Sequence, residues 1–206
     1  MAIVTGTVPG VAQRIGVFGG TFDPPHVGHL VTAVDVRHTL GLDRVLLVVA
    51  NRPWQKVGSR EISPAGDRLA MVEAAVAGVE GLEASSIEID RGGDSYTADT
   101  LADLHLIDPD AELFLVLGAD AAAGLPTWER ADEVRASSTL VVVDRPGARG
   151  ASVPEGWTWV HVEVPRLEVS STDLRERVRD DRPLDYLLPR DVIACVRERQ
   201  LYRDAP

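Results

Sequence analysis

The sequence predicts an α/β protein with an open, doubly wound and mainly parallel sheet, helices on its faces and a small helical part at the C-terminal end. Three observations carry that expectation. Short β-branched and leucine-rich runs recur between longer stretches of helical periodicity, which is how parallel strands joined by crossover helices read. A glycine-rich turn with two prolines separates the first run from the first helical stretch. The 206 residues, 45% of them hydrophobic, contain no repeat, low-complexity tract or long linker, as expected of one well-cored domain.

In chain order, residues 1–13 read as a flexible tail and residues 14–206 as a single domain. Residues 14–19 and 44–50 are the first two strand candidates, with a helix opening near His26 between them. From 63 to 78, SPAGDRLAMVEAAVAG offers Ser63 or Asp67 as a cap, Pro64 for a first turn, and Leu69, Val72 and Val76 as an apolar stripe. Residues 82–89 read as the third strand, 97–107 as a helix, and 112–118, 139–144 and 157–164 as the remaining strands. VSSTDLRERV, 169–178, reads as a capped helix and 189–202 as the last helix. The layout is Rossmann-like, which places a site at the C-terminal ends of the strands. Fold alone does not name a chemistry.

Charge and cysteine usage exclude several classes. Asp and Glu number 32 against 21 Lys and Arg, a net charge of -11, and Lys56 is the one lysine. Such a balance disfavours a nucleic-acid partner, because a long phosphate backbone needs a basic face. The single Cys195 allows no internal disulfide and no CxxC pair, so a reducing, cytoplasmic setting is expected. No apolar run approaches the roughly 18 residues of a membrane helix, and the first residues lack the pattern of a signal peptide.

The most informative segment is GGTFDPPHVGHL, residues 19–30, where the first strand turns into the first helix. Gly19 and Gly20 permit close backbone approach to a ligand, and the helix that follows presents free N–H groups and a positive dipole end to an anion. His26 and His29 are three apart and share one face of the first turn. Gly28 between them leaves room for a flat group or a phosphate. Other readings are a dinucleotide fingerprint, which fails because Phe18 stands at its second glycine position, and a zinc pair, which lacks a Cys or HExxH frame. Two histidines that merely cap a helix are the bland alternative. A Walker loop is excluded, since Lys56 lies between Gln55 and Val57. In VSSTDLRERV, Ser170, Ser171 or Thr172 can cap a helix that carries Arg175 one turn on, and two such helix starts converging on one crevice would suit a triphosphate.

These residues carry a resemblance. GGTFDPPHVGHL resembles the TxxH/HxGH signature of the nucleotidyltransferase superfamily, and the later segments ANRPWQK, SYTADTL, LGADAAAGLPTWERADEV, VDRPG and VSSTDLRERV, in that order, resemble the bacterial nicotinate-nucleotide adenylyltransferase family over residues 14–202. Val169 before the SST and the small Ala98 depart from the usual pattern. The resemblance implies transfer of the adenylyl group of ATP to nicotinate mononucleotide, with Mg2+ arriving on ATP and no metal held by the protein. It implies that Gly19, Gly20, Thr21, Phe22, His26, His29, Gly118, Asp120, Ser171, Thr172 and Arg175 bind ATP. Asn51, Lys56, Tyr96, Thr97, Ala98, Trp128 and Arg145 would bind the mononucleotide, and His26, His29, Lys56 and Arg175 would carry the chemistry. Thr97 and Ala98 would offer backbone N–H groups to the nicotinate carboxylate while Trp128 stacks on the ring. Neither nucleic acid nor membrane is an expected partner, and a homo-oligomer is left open. Sister enzymes acting on nicotinamide mononucleotide or phosphopantetheine, and a nucleotide-binding protein without turnover, are the competing readings.

Overall fold

A computed structural model describes residues 12–53, 62–144 and 153–203. Six strands form one sheet: β1 (Arg14–Gly20), β2 (Arg44–Val49), β3 (Leu82–Ser85), β4 (Glu112–Gly118), β5 (Thr139–Asp144) and β6 (Trp159–Glu163). Their order across the sheet is β3-β2-β1-β4-β5-β6, and every pair is parallel, so the mainly parallel expectation sharpens to an all-parallel sheet among the described strands. The chain winds outward from β1 in one direction to β3 and then returns to place β4 on the other side of β1. That reversal opens a crevice beyond the C-terminal ends of β1 and β4, where doubly wound sheets bind ligands.

The strands are apolar on both faces because both are covered. One face puts Val17, Val48, Leu115 and Leu140 against Leu101 and Leu104 of α4 (Thr97–Ile107) and Val134 of α6 (Ala131–Ser137). The other puts Val45, Leu47, Val116 and Val141 against Ala33 and Val36 of α1 (Val27–Leu40) and Val72 and Val76 of α2 (Ala65–Val76). Two short helices, α3 (Ile87–Arg91) and α5 (Ala119–Ala123), complete the crossovers, the latter followed by a 3-10 turn at Leu125–Thr127. The C-terminal part packs on α2 rather than on the sheet: Leu174 of α7 (Ser171–Arg179) and Val192, Ile193 and Val196 of α8 (Arg190–Glu198) enclose Met71 and Ala75.

The structure corrects the third strand. It ends at Ser85, and Ile87 to Arg91 turn into α3. The alternation of Ile87, Glu88 and Ile89 mimics a strand, but the buried Glu88 finds its partner in α4, whose Thr100 Oγ1 donates to Glu88 Oε1 at 2.6 Å. A buried carboxylate without such a donor would be costly, and the helical turn aims it correctly. Pro64 itself, rather than Ser63 or Asp67, takes the N-cap position of α2, and α8 ends at Glu198, with Tyr202 in a turn beyond it. Residues 1–11 of the expected tail lie outside the described residues; the Gln13 carbonyl accepts from Glu112 N–H at 2.8 Å.

Candidate active site

At the end of β1 the chain enters a tight turn. Phe22 adopts a left-handed φ of 48° and is buried, with the Asp23–Pro24 peptide cis behind it. Gly20 is required there, because a Cβ would lie 2.7 Å from the Phe22 ring. That ring meets His29 edge-on, with centroids 5.1 Å apart at 76°.

His26 is the N-cap residue of α1 and His29 is its third residue. The two rings stack at 3.7 Å with 26° between their planes, and the His26 N–H donates to His29 Nδ1 at 3.2 Å. A neutral His29 whose Nδ1 accepts carries its proton on Nε2. His26 is buried, and its Nδ1 has no hydrogen-bond partner among the described residues. Burial pushes its pKa down to about 4, only partly offset by a backbone hydrogen bond. The space expected beside Gly28 is filled, since a Cβ there would lie 3.1 Å from both the His26 ring and Val169. Gly28 therefore lets His26 and the loop before α7 close together.

A neutral buried His26 has a measurable consequence. Above about pH 6.5 the imidazole is uncharged in both the folded and the unfolded chain and favours neither. As pH falls from 6.5 towards 4 the unfolded chain takes up a proton that the folded chain refuses, so stability declines, by about 3 kcal/mol in all. We expect the urea midpoint of the ligand-free protein to drop between about pH 7 and about pH 4.5, and the drop to be smaller in His26→Asn. Equal drops in both proteins would show that His26 titrates freely in the fold.

The N-terminus of α7 stands against the same turn. Ser170 is its cap, the Oγ accepting from Asp173 N–H at 3.2 Å, so of the three candidates it is the first hydroxyl that caps. That frees the next two for other work. Ser171 Oγ donates to the Pro24 carbonyl at 2.9 Å, and Arg175, buried, donates from Nη1 to the Asp23 carbonyl at 2.9 Å and from Nη2 to Thr172 Oγ1 at 3.2 Å. His26, His29, Ser171, Thr172 and Arg175 thus meet around residues 23–26.

A cavity of about 320 Å3 lies on the crevice between β1 and β4. Gly19, Gly20 and Thr21 line it from the strand end, Tyr96 and Thr97 from the start of α4, and Trp128 from the turn before α6. Ala98, the second residue of α4, has its methyl buried in the core, so only its backbone is placed at the helix start. Asn51 is held differently: its N–H donates to Ser95 Oγ at 2.9 Å and its Nδ2 to the Gly93 carbonyl at 2.8 Å, tying the loop after β2 to the loop before α4. Gly118 and Asp120 lie exposed at the start of α5 and do not line this cavity. Lys56 and Arg145 lie outside the described residues. Among the described residues no three or more His, Cys, Asp or Glu side chains gather as for a metal ion, and no helix is long and apolar enough to cross a membrane.

Residues that the sequence reading passed over complete the site. Arg68 of α2, 1% exposed, donates to the carbonyls of Ser63 at 2.8 Å, Thr21 at 3.0 Å, Ala50 at 2.6 Å and Asn51 at 3.0 Å. Its position one helical turn before Val72 on the apolar stripe is the signal that could have found it. Glu88 lines the cavity with no local pattern to mark it, and Asp23 lies buried at the turn, inside GGTFDPPHVGHL but given no role by the sequence.

Known proteins resemble this chain in sequence and in fold. The cytidylyltransferase-like family model matches residues 17–177. A curated relative from Corynebacterium kroppenstedtii, named "Probable nicotinate-nucleotide adenylyltransferase", is 45% identical over 192 residues, covering 92% of this chain and 90% of its own. One of the same name from Saccharopolyspora erythraea is 44% identical over 193 residues, covering 93% and 90%. Among solved structures, Plasmodium falciparum nicotinic acid mononucleotide adenylyltransferase complexed with NaAD matches the fold with a TM-score of 0.75 at 14% identity, covering 92% of this chain and 97% of that one. The chain belongs to the nicotinate-nucleotide adenylyltransferase family, within the cytidylyltransferase-like proteins.

Proposed function

We propose that the protein transfers the adenylyl group of ATP to the 5′-phosphate of nicotinate mononucleotide, releasing pyrophosphate and forming the deamido dinucleotide. The observation that carries this reading is an adjacency. A histidine-bearing helix start backed by Ser171 and Arg175 lies beside a cavity walled by the start of α4 and by Trp128, and Gly19 to Thr21 serve both. The first part suits a polyphosphate and the second a flat, acidic ring.

The attacking phosphate oxygen is already an anion, so no general base is needed. It forms a bond to the α-phosphorus as the bond to the bridging oxygen breaks, and pyrophosphate leaves with that electron pair. Catalysis then consists of holding two mutually repelling anions in line and stabilising the charge that develops. His29 would donate from Nε2, and His26 would gain from a ligand the partner its Nδ1 lacks, since an unpaired buried nitrogen costs about 1–3 kcal/mol. Arg175, Ser171 and Thr172 would hold the phosphates from the side of α7, with Lys56 and Arg145 as further cationic contacts and Gly118 and Asp120 at a ribose. Charge on those phosphates would be further neutralised by Mg2+ carried on ATP, for which no cluster of protein ligands stands among the described residues. In the cavity, Trp128 would stack on the pyridine ring and the first N–H groups of α4 would meet its carboxylate. An amide turned toward those donors would leave them unpaired, which favours the acid. The protein would act as a soluble enzyme of the cytoplasm.

The test is pyrophosphate release from ATP and Mg2+ with nicotinate mononucleotide, its amide and phosphopantetheine supplied in turn. Release is expected with the acid in clear preference to the others. Preference for the amide or phosphopantetheine would move the protein to a sister activity, and ATP binding without release for any acceptor would sink the enzyme reading.

A further inference from the structure

The turn that presents His26 is braced from the far end of the chain. Tyr202, past the end of α8, donates its hydroxyl proton to Asp23 Oδ1 at 2.8 Å, while Ser63 N–H reaches Asp23 Oδ2 at 3.5 Å. Asp23 is 1% exposed and stands three residues before His26, and its backbone carbonyl is the acceptor for Arg175. The Val27 N–H donates to the Leu187 carbonyl at 3.1 Å. Asp23, Pro24 and Val27 are therefore all held by the part of the chain that follows the sheet.

Tyr202 has a second unusual feature. Its φ is 66°, a left-handed conformation that bulky side chains rarely adopt. Such a conformation persists where the surroundings hold it, and here they include the hydroxyl contact with Asp23, a 3.6 Å contact of the same oxygen with Met71 Sδ, and packing of the ring on the C-terminal cluster. Burial, and then the neighbouring Asp23 charge, push the phenol pKa well up, so the hydroxyl stays a donor at every physiological pH.

We propose that Tyr202 is a positioning residue for adenylyl transfer, its hydroxyl satisfying the Asp23 carboxylate so that the turn keeps its shape and Arg175 stays turned toward the nucleotide phosphates. This rests on the adenylyltransferase reading above. The physical reason is competition. A buried carboxylate that loses one of its donors draws more strongly on the groups around it, and the Arg175 guanidinium already touches the backbone of the same residue. Drawn onto Asp23, it would be a poorer partner for an incoming phosphate. The acceptor cavity, on the other side of the β1 end, would be left as it is.

Tyr202→Phe keeps the ring and removes one oxygen. The KM for ATP, and its Kd by calorimetry, should rise roughly fivefold or more, while the KM for nicotinate mononucleotide stays within about twofold. Mere loss of folded protein would lower the apparent kcat and leave both constants alone. Tyr186→Phe, at a tyrosine 95% exposed, serves as the control and should behave as the wild type. Asp23→Asn removes the charge that competes for Arg175, so adding Tyr202→Phe to it should change ATP binding by less than about twofold. An unchanged ATP constant in Tyr202→Phe, equal rises for both substrates, or full additivity with Asp23→Asn would overturn the proposal. Wild-type protein that releases no pyrophosphate would instead sink the adenylyltransferase reading, and the ATP Kd values would still decide the role of Tyr202 in binding.

Discussion

His29→Ala is expected to keep the fold and lower turnover roughly a hundred to a thousandfold, the usual loss when one preorganised donor to a developing charge is removed. The magnitude follows from how firmly the ring is held. His29 is stacked on His26 at 3.7 Å, meets Phe22 edge-on at 5.1 Å, and accepts the His26 N–H on Nδ1, so in the proposed mechanism Nε2 would meet ATP with little further reorganisation. Alanine removes that donor and leaves the His26 N–H to water at the rim, a cost of about 1 kcal/mol that a domain of this size tolerates. Steady-state pyrophosphate release, with circular dichroism to establish folding, measures the effect. Turnover within about threefold of wild type in a folded His29→Ala protein would remove His29 from the mechanism.

Arg68→Met is expected to have the largest effect on stability. The guanidinium is 1% exposed and joins four carbonyls from three separate segments: Thr21 beyond β1, Ala50 and Asn51 beyond β2, and Ser63 before α2. Methionine of similar length fills the space but donates nothing. The stranded carbonyls then cost about 1–3 kcal/mol each where water cannot reach them, and a total near 3–5 kcal/mol is reasonable for a buried charged hub. That corresponds to a fall in Tm of roughly 10 °C for a chain of this length. Arg68→Lys, with one nitrogen in place of three, should lie between. Calorimetric melting of the three proteins checks this; a Tm for Arg68→Met within about 2 °C of wild type would mean that the carbonyls find water easily and that the hub is dispensable.

Much of this architecture is legible in the residues themselves. Strands β4 and β5 fall where apolar runs predict them, and α4 spans the predicted residues, because period and β-branching are properties of a short stretch. GGTFDPPHVGHL and SSTDLR announce two anion-ready helix starts for the same reason: caps, prolines and glycines act within one turn. The third strand shows where that logic stops. Its Ile87, Glu88, Ile89 alternation is consistent with a strand, and only the position of Thr100 on another helix makes the turn into α3 the better solution for Glu88. Similarly, Gly28 reads as space for a ligand until Val169 and the His26 ring are found occupying it.

What the sequence by itself determined is therefore the order of the strands and the main crossover helices, and the family, with a set of candidates for holding phosphate. What only the tertiary structure decided is how those residues are held. Ser171 meets Pro24 across 147 residues, Arg175 meets Asp23 across 152, and Tyr202 meets Asp23 across 179. No periodicity spans such separations, since a hydrogen bond between distant segments depends on where the intervening core places them and leaves no mark in either segment alone.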